Sequence, residues 1–230
     1  MIAEITEVFG RLASDAAARV VVLRSTGKHF CAGADLNWMR RVAEASEQEN
    51  RADASALEHM FRTIARCPKP VVARVQGAAL GGGAGLVAAA DIAIASTAAS
   101  FGFTEARLGI LPAVIAPYVV RKVGQGPAQA LFLTGSRFGA SRALQLGLVH
   151  QVVEPDQLDE ATAQTVGELL QCSPEAQARI KALLPRVANL TLQEASAHTT
   201  AEIASARASE QAKLGMAAFL AKKKPPWVAE

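Results

Sequence analysis

Val71-Val72-Ala73-Arg74-Val75-Gln76-Gly77-Ala78-Ala79-Leu80-Gly81-Gly82-Gly83 is the stretch from which the fold can be read. Pro68 and Pro70 end whatever helix precedes it, and Val71–Val75 reads as a buried strand. Gly77 to Gly85 is a glycine-rich turn that runs into a short helix ending near Asp91. Glycine tolerates positive φ and lets other atoms approach the backbone. A helix N-terminus presents unpaired N–H groups and a partial positive charge, so this turn suits a negatively charged oxygen. No Gly-Lys-Ser/Thr follows, which excludes a P-loop, and no glycine triplet has the GxGxxG spacing of a dinucleotide fold.

Outward from this stretch the same grammar repeats. Val20–Leu23 is a continuous apolar run and reads as another buried strand, and Ile92–Ala95 as a third. Residues 2–13 place Ile2, Ile5, Val8, Phe9 and Leu12 on one helical face. A loop spans Gly27 to Gly33, a helix follows from about Asp35, and Arg51–Arg66 reads as another. This alternation predicts an α/β core over residues 1–126. Residues 127–230 read as a helical region with one short strand at Leu148–Val153 and a last long helix over Leu192–Leu220. The chain opens in a helix, so a sheet starting at Val20 has an exposed edge unless another element covers it.

Composition narrows the function classes. Of 230 residues half are hydrophobic and a fifth charged, the balance of a globular protein. Aromatics are only 5%, so alanine and small aliphatics must fill the core. The net charge of +3, with one cluster at Lys222–Lys224, gives no basic face for nucleic acid but is compatible with a phosphate-bearing small ligand. Cys31, Cys67 and Cys172 form no CxxC pair and the four histidines no HExxH pattern, so neither a disulfide framework nor a metal site is expected. A reducing cytoplasm is the expected compartment. No secretory leader pattern opens the chain. The longest uncharged small-apolar run, Gly77–Ala90, falls short of the roughly 18–20 residues of a membrane span.

Phe30-Cys31-Ala32-Gly33-Ala34-Asp35-Leu36 is a second small-residue loop entering a helix after a strand. Two such loops, each aiming one peptide N–H at a common oxygen, have the geometry of an oxyanion hole.

On these residues the chain resembles the enoyl-CoA hydratase/isomerase (crotonase) family. His29–Leu36 is similar to its first signature, and Pro70–Val75 with Gln76–Gly83 to its second. Asp91–Ala95, Phe101-Gly102, Glu105–Pro112, Gly135–Phe138, Ala143–Val149 and Gly215–Leu220 followed by lysines continue the resemblance in order. The resemblance implies a crotonase-type spiral of ββα units with a C-terminal helical subdomain. It implies an acyl-CoA thioester as substrate, with coenzyme A present only as part of that substrate and no other cofactor or metal. It further implies a homotrimer or a hexamer.

Residue by residue, the resemblance puts the amides of Ala34 and Gly82 around the thioester oxygen and Glu105 beside the α,β-carbons as general acid or base. Backbone carbonyls at Ala32, Ala34 and Leu36 would meet the adenine. Phe219 and Lys222 lie where a C-terminal helix reaches coenzyme A, and Lys28 is a further cation for its phosphates. Asp91 is expected to anchor the turn between helix and strand.

Two departures stand out. Hydratases of this family carry a second Glu where this chain has Gly85. Members also begin with a strand pair that would lie beside Val20–Leu23, and the chain opens without it. Ala34–Met39 and Arg107–Val120 are similar to bacterial methylglutaconyl-CoA and carboxygeranoyl-CoA hydratases, whose substrates carry a distal carboxylate; that likeness points to leucine degradation. Arg107 and Arg121 are candidates to meet such a group. Three readings stay open: a hydratase using Glu105 with a water held by backbone or substrate, an isomerase using Glu105 alone, or a non-catalytic protein with a degenerate site.

Overall fold

A computed structural model describes residues 1–228. Helix α1 (Ile2–Ser14) buries Phe9 and packs on α3 (Glu47–Arg66), as its apolar face requires. Helix α3 starts about one turn before Arg51, where the sequence reading began it, because Ser46 and Glu49 form a capping box. The Glu49 N–H donates to Ser46 Oγ at 3.3 Å, and the Ser46 N–H donates to Glu49 Oε2 at 2.8 Å. Between them α2 (Leu36–Glu44) is capped by Asp35, whose Oδ1 accepts the Trp38 N–H at 2.9 Å.

Seven strands build two sheets among the described residues. One is parallel throughout, in the order β1 (Val21–Leu23), β2 (Val71–Val75), β4 (Ile92–Ser96), β7 (Gln151–Val153), with Val21 opposite Val71, Val72 opposite Ile92 and Ile94 opposite Gln151. The other joins β3 (Ala78–Leu80) in parallel to β5 (Ser100–Gly102), and β5 in antiparallel to β6 (Arg137–Gly139). The chain therefore repeats one step. β2 enters the first sheet, β3 the second, and α4 (Gly82–Ala89) follows; β4 and β5 then do the same before a 3-10 turn at Glu105–Leu108 and helix α5 (Ala116–Val123). In the first step β1 takes the first sheet, and Cys31 touches the second through an isolated parallel bridge to Ala79. This is the expected spiral of ββα units.

The sequence reading missed β3, β5 and β6. Each has only three residues, and five of the nine are Ala, Gly or Ser, which carry little strand preference of their own. Pairing partners supplied by the fold, not local propensity, make them strands.

The core is as alanine-rich as the composition requires. Ala73, Ala79, Ala84, Ala93 and Ala95 are fully buried among Phe61, Phe101 and Phe103. Val71, Val72, Ala73 and Val75 are buried on both faces of β2, which explains why that strand reads as a run rather than an alternation. Asp91 anchors the entry to β4: its Oδ2 accepts the Val71 N–H at 2.7 Å and pairs with Lys181. β1 is an outer strand, with Val22 exposed.

The division expected at residue 126 falls inside α6 (Gln125–Thr134), and β6 and β7 complete the two sheets from beyond it. Helices α7 (Ala140–Gln145), α8 (Leu158–Leu170) and α9 (Pro174–Val187) follow. The single long helix expected over Leu192–Leu220 is instead two, α10 (Leu192–Ala208) and α11 (Glu210–Leu220). Ser209 breaks it: its backbone is extended (φ −69°, ψ 154°), and its Oγ accepts the Ala212 N–H at 3.2 Å, ending one helix and capping the next.

Candidate active site

The turn from β3 into α4 depends on Gly81. Its φ of 53° and ψ of −120° belong to glycine, since a Cβ would clash with the neighbouring peptides. Gly82 is the first helical residue, so its N–H has no partner within the helix. The loop that holds Ala34 is stitched to this turn through Cys31. The Cys31 N–H donates to Ala78 O at 3.0 Å, and the Leu80 N–H donates to Cys31 O at 2.9 Å. The contact continues into the helix, where a Cβ on Gly83 would stand 2.5 Å from the Cys31 carbonyl oxygen. Ala34 follows in the same exposed loop. Among the described residues neither the Ala34 nor the Gly82 amide donates to a protein acceptor.

Glu105 opens the 3-10 turn that leaves β5, and the Gly81 N–H donates to Gly102 O at 2.8 Å, drawing the end of β5 onto the glycine turn. Gly109, with φ at 75°, closes the 3-10 turn. The Glu105 carboxylate lies directly over Gly81: a Cβ there would be 3.2 Å from Glu105 Oε1. Its other oxygen, Oε2, is buried and has no hydrogen-bond partner among the described residues. Desolvation raises the carboxyl above its ordinary value of 4.5, opposed by a hydrogen bond from its own main chain. A half-buried carboxylate with a free oxygen, against a turn that offers a free amide, is equipped to move a proton beside a developing oxyanion.

One turn further along α4 the surroundings change. A Cβ on Gly85 would stand 2.3 Å from Ile115 Cγ2 and 3.1 Å from Phe61 Cζ. Ile115 is 3% exposed and Phe61 fully buried, with the Tyr118 ring 5.7 Å from that of Phe61. Hydrocarbon from α3 and from the start of α5 thus fills the place of a side chain at residue 85. Residues 61, 85 and 115 are far apart in sequence, so no local pattern could have shown this contact.

The remaining candidates are scattered over the surface. Ala32, Ala34 and Leu36 are exposed together on one short segment, and Lys28 is exposed upstream of it. Leu108, Ile110 and Leu111, just after Glu105, form an exposed apolar rim. Phe219, 82% exposed, lies near the end of α11, which packs on α10; Lys222 follows in the terminal turn with a φ of 54°. Within the chain no hydrogen bond or ring contact among the described residues joins either of them to the Ala32–Leu36 loop. Arg107 lies along Gly135, its Cγ 3.1 Å from the place of a Cβ there.

Arg121 lines a different cleft of about 860 Å³, between Ala88–Ala90 at the far end of α4, Tyr118 and Lys122 on α5, and Ile180 and Leu184 on α9. Burial pushes the Lys122 amine down to about 8, while its Nζ donates to Asp91 O at 2.8 Å. None of Ala34, Gly82 and Glu105 lines that cleft. It sits a helix length from the glycine turn, about 10 Å at 1.5 Å per residue.

Comparison with known proteins supplies the family. The family model for enoyl-CoA hydratase/isomerase matches residues 1–230. A short-chain-enoyl-CoA hydratase of Clostridium acetobutylicum is 33% identical, over 96% of this chain and 84% of that protein. Among solved structures, an enoyl-CoA hydratase from Shewanella pealeana superposes with a TM-score of 0.95 at 40% identity, covering 98% of this chain and 85% of that one. AtuE of Pseudomonas aeruginosa superposes with a TM-score of 0.94 at 37% identity, covering 100% and 89%. With its fold and its whole length matched, the chain is an enzyme of the hydratase/isomerase type and belongs to the enoyl-CoA hydratase/isomerase family.

Proposed function

We propose that the protein adds water across the α,β double bond of an enoyl-CoA, with Glu105 as the single proton-transfer group and the amides of Ala34 and Gly82 as the oxyanion donors. The observation that carries this reading is the seat of Glu105: its carboxylate lies over Gly81, next to the free Gly82 amide, with one buried oxygen unpartnered. The Glu105 carboxylate accepts a proton from water as the water oxygen bonds to the β-carbon. The π electrons move to the thioester oxygen, where two amide donors stabilise the enolate, each worth roughly 3–4 kcal/mol in the transition state. Glu105, now protonated, returns its proton to the α-carbon, so water is consumed and the carboxylate is regenerated.

In the same reading the carbonyls of Ala32, Ala34 and Leu36 meet the adenine of coenzyme A, and Lys28 and Lys222 meet its phosphates. Phe219 reaches the same coenzyme A, and its exposed apolar neighbours Met216 and Leu220 are covered in a homotrimer or hexamer, the expected assembly. The relatives include a short-chain-enoyl-CoA hydratase and a crotonyl-CoA hydratase, which supports a short acyl chain. Within that class we favour a branched substrate with a distal carboxylate, of the methylglutaconyl-CoA kind, in leucine degradation in the cytoplasm. Arg107 is the better placed cation, because Arg121 lines the far cleft.

One observation favours a second reading, an enoyl-CoA isomerase. Ile115 and Phe61 occupy the place of a side chain at residue 85, so no second carboxylate stands there to hold the water. Incubation with 2-enoyl-CoA and with 3-enoyl-CoA in oxygen-18 water separates the two. Label in the 3-hydroxyacyl product establishes hydration; unlabelled interconversion of the two alkenes, without alcohol, overturns it in favour of isomerisation.

A further inference from the structure

Cys31 performs three structural tasks at once. Its N–H and C=O clasp β3 on both sides of Ala79, through Ala78 O and the Leu80 N–H. Its side chain lies against the first turn of α4: a Cβ added at Gly83 would stand 2.7 Å from Cys31 Cβ and 3.1 Å from Sγ. The thiol itself makes only a long contact, 3.9 Å, to Gly33 O. The side chain therefore acts by its bulk rather than by a strong polar bond.

The two amides of the proposed oxyanion hole lie on either side of this contact. Ala34 is three residues beyond Cys31 on one element, and Gly82 is the residue before Gly83 on the other. We infer that Cys31 is a positioning residue: its side chain, pressed on Gly83, sets the gap between the Ala34 and Gly82 amides and thereby the polarisation of the thioester carbonyl held between them. This deepens the oxyanion-hole reading and rests on it.

The physical reason is steric. No side chain on residue 83 softens the contact, so the helix start meets the Cys31 carbonyl oxygen and, beside it, Cβ and Sγ, at 2.5, 2.7 and 3.1 Å from the place of a Cβ on Gly83. Alanine at 31 keeps the carbonyl and Cβ but removes the Sγ contact that braces the helix start, and a branched side chain wedges the two elements apart. Hydrogen-bond energy falls steeply with such displacement, because donors must lie about 2.7–3.1 Å from the oxyanion. A misplacement near 1 Å can cost about 10²-fold in rate.

The test uses Cys31→Ala, Cys31→Val and the near-isosteric Cys31→Ser in the full-length enzyme, with Glu105→Gln in parallel. For each, kcat, KM, thermal midpoint and the carbonyl stretching frequency of bound enoyl-CoA are measured by steady-state assay, calorimetry and difference infrared spectroscopy. We expect Cys31→Ala and Cys31→Val to lower kcat roughly 10-fold or more with little change in KM, and to shrink the red shift of the bound carbonyl. Cys31→Ser should restore both. Wild-type kcat and carbonyl shift in folded Cys31→Ala and Cys31→Val overturn the inference, as do kcat losses that track the thermal midpoint alone, with the carbonyl shift intact. Glu105→Gln separates the two layers. If it is inactive yet keeps the carbonyl shift, the underlying reading stands whatever Cys31 does; if it retains full turnover, the catalytic reading itself fails.

Discussion

Ile115 Cγ2 lies 2.3 Å from where a Cβ on Gly85 would be, so the two residues are a lock of which glycine is one half. The contact decides what kind of wall stands one helical turn beyond Gly82. It also explains why seven of the eight residues of this glycine-, alanine-, leucine- and valine-built helix, Gly83 to Ala89, can be buried: their neighbours pack against backbone instead of side chain.

Gly85→Ala should therefore destabilise the fold, by the roughly 1–3 kcal/mol typical of overpacking. Ile115→Ala alone should cost about 2–5 kcal/mol through the cavity it leaves. The double variant should be more stable than the sum of the two losses, because the new methyl occupies part of the vacated space. Urea unfolding of the four proteins measures this coupling; simple additivity would show that the two side chains do not share the site.

Glu105→Gln should reduce turnover of an enoyl-CoA by about 10²–10⁴-fold without loss of stability. The wild-type pH profile should show an acid limb. The reaction as drawn needs the carboxylate, and burial raises its pKa, so kcat/KM should fall as pH drops through a midpoint above the ordinary 4.5. A flat profile down to that value would separate Glu105 from the rate.

Gly81→Ala combines two faults. A φ of 53° with ψ of −120° is costly for any residue with a Cβ, about 1–3 kcal/mol. The new methyl would also meet Glu105 Oε1 at 3.2 Å and displace the carboxylate by a few tenths of an ångström. Stopped-flow or steady-state assay should show kcat down by roughly 10–10²-fold, with a smaller effect on KM.

His150 makes stability depend on pH. Its Nδ1 accepts the Ala93 N–H at 3.0 Å, and the main-chain N–H of His150 donates to Ala93 O at 2.8 Å, so the neutral ring completes a two-bond link to Ala93 on β4. Burial first, then the Lys122 charge, hold its pKa below the ordinary 6.5, against the Ala93 hydrogen bond and Asp91. The unfolded chain then binds the proton more tightly than the folded one. The stabilisation is complete above 6.5 and is lost as pH falls from there towards the lower folded value. Urea midpoints across that window should fall more steeply for the wild type than for His150→Asn, whose amide can accept the same N–H without titrating. Equal slopes would remove His150 from the balance.

Much of this arrangement is legible in the sequence. Val71–Val75 announces a strand by its apolar run, the glycine triplet announces a tight turn into a helix, and Asp35 marks a helix start, because each is a local matter of backbone preference and capping. The order of motifs along the chain carries the family, and Glu105 can be singled out from its place between Phe101-Gly102 and Leu108-Gly109.

What tertiary structure alone decided are the contacts between distant residues. Strands β3 and β5 exist because Ala78 meets Ser100, not because alanine favours a strand. Glu105 acquires its raised pKa from burial over Gly81, residues away in sequence. Gly85 is silent as a letter and becomes a packing site only when Ile115 and Phe61 arrive from two other helical segments. The physical reason is the same in each case: local sequence sets dihedral preference and polarity, whereas desolvation and close contact depend on what the rest of the chain brings within a few ångströms.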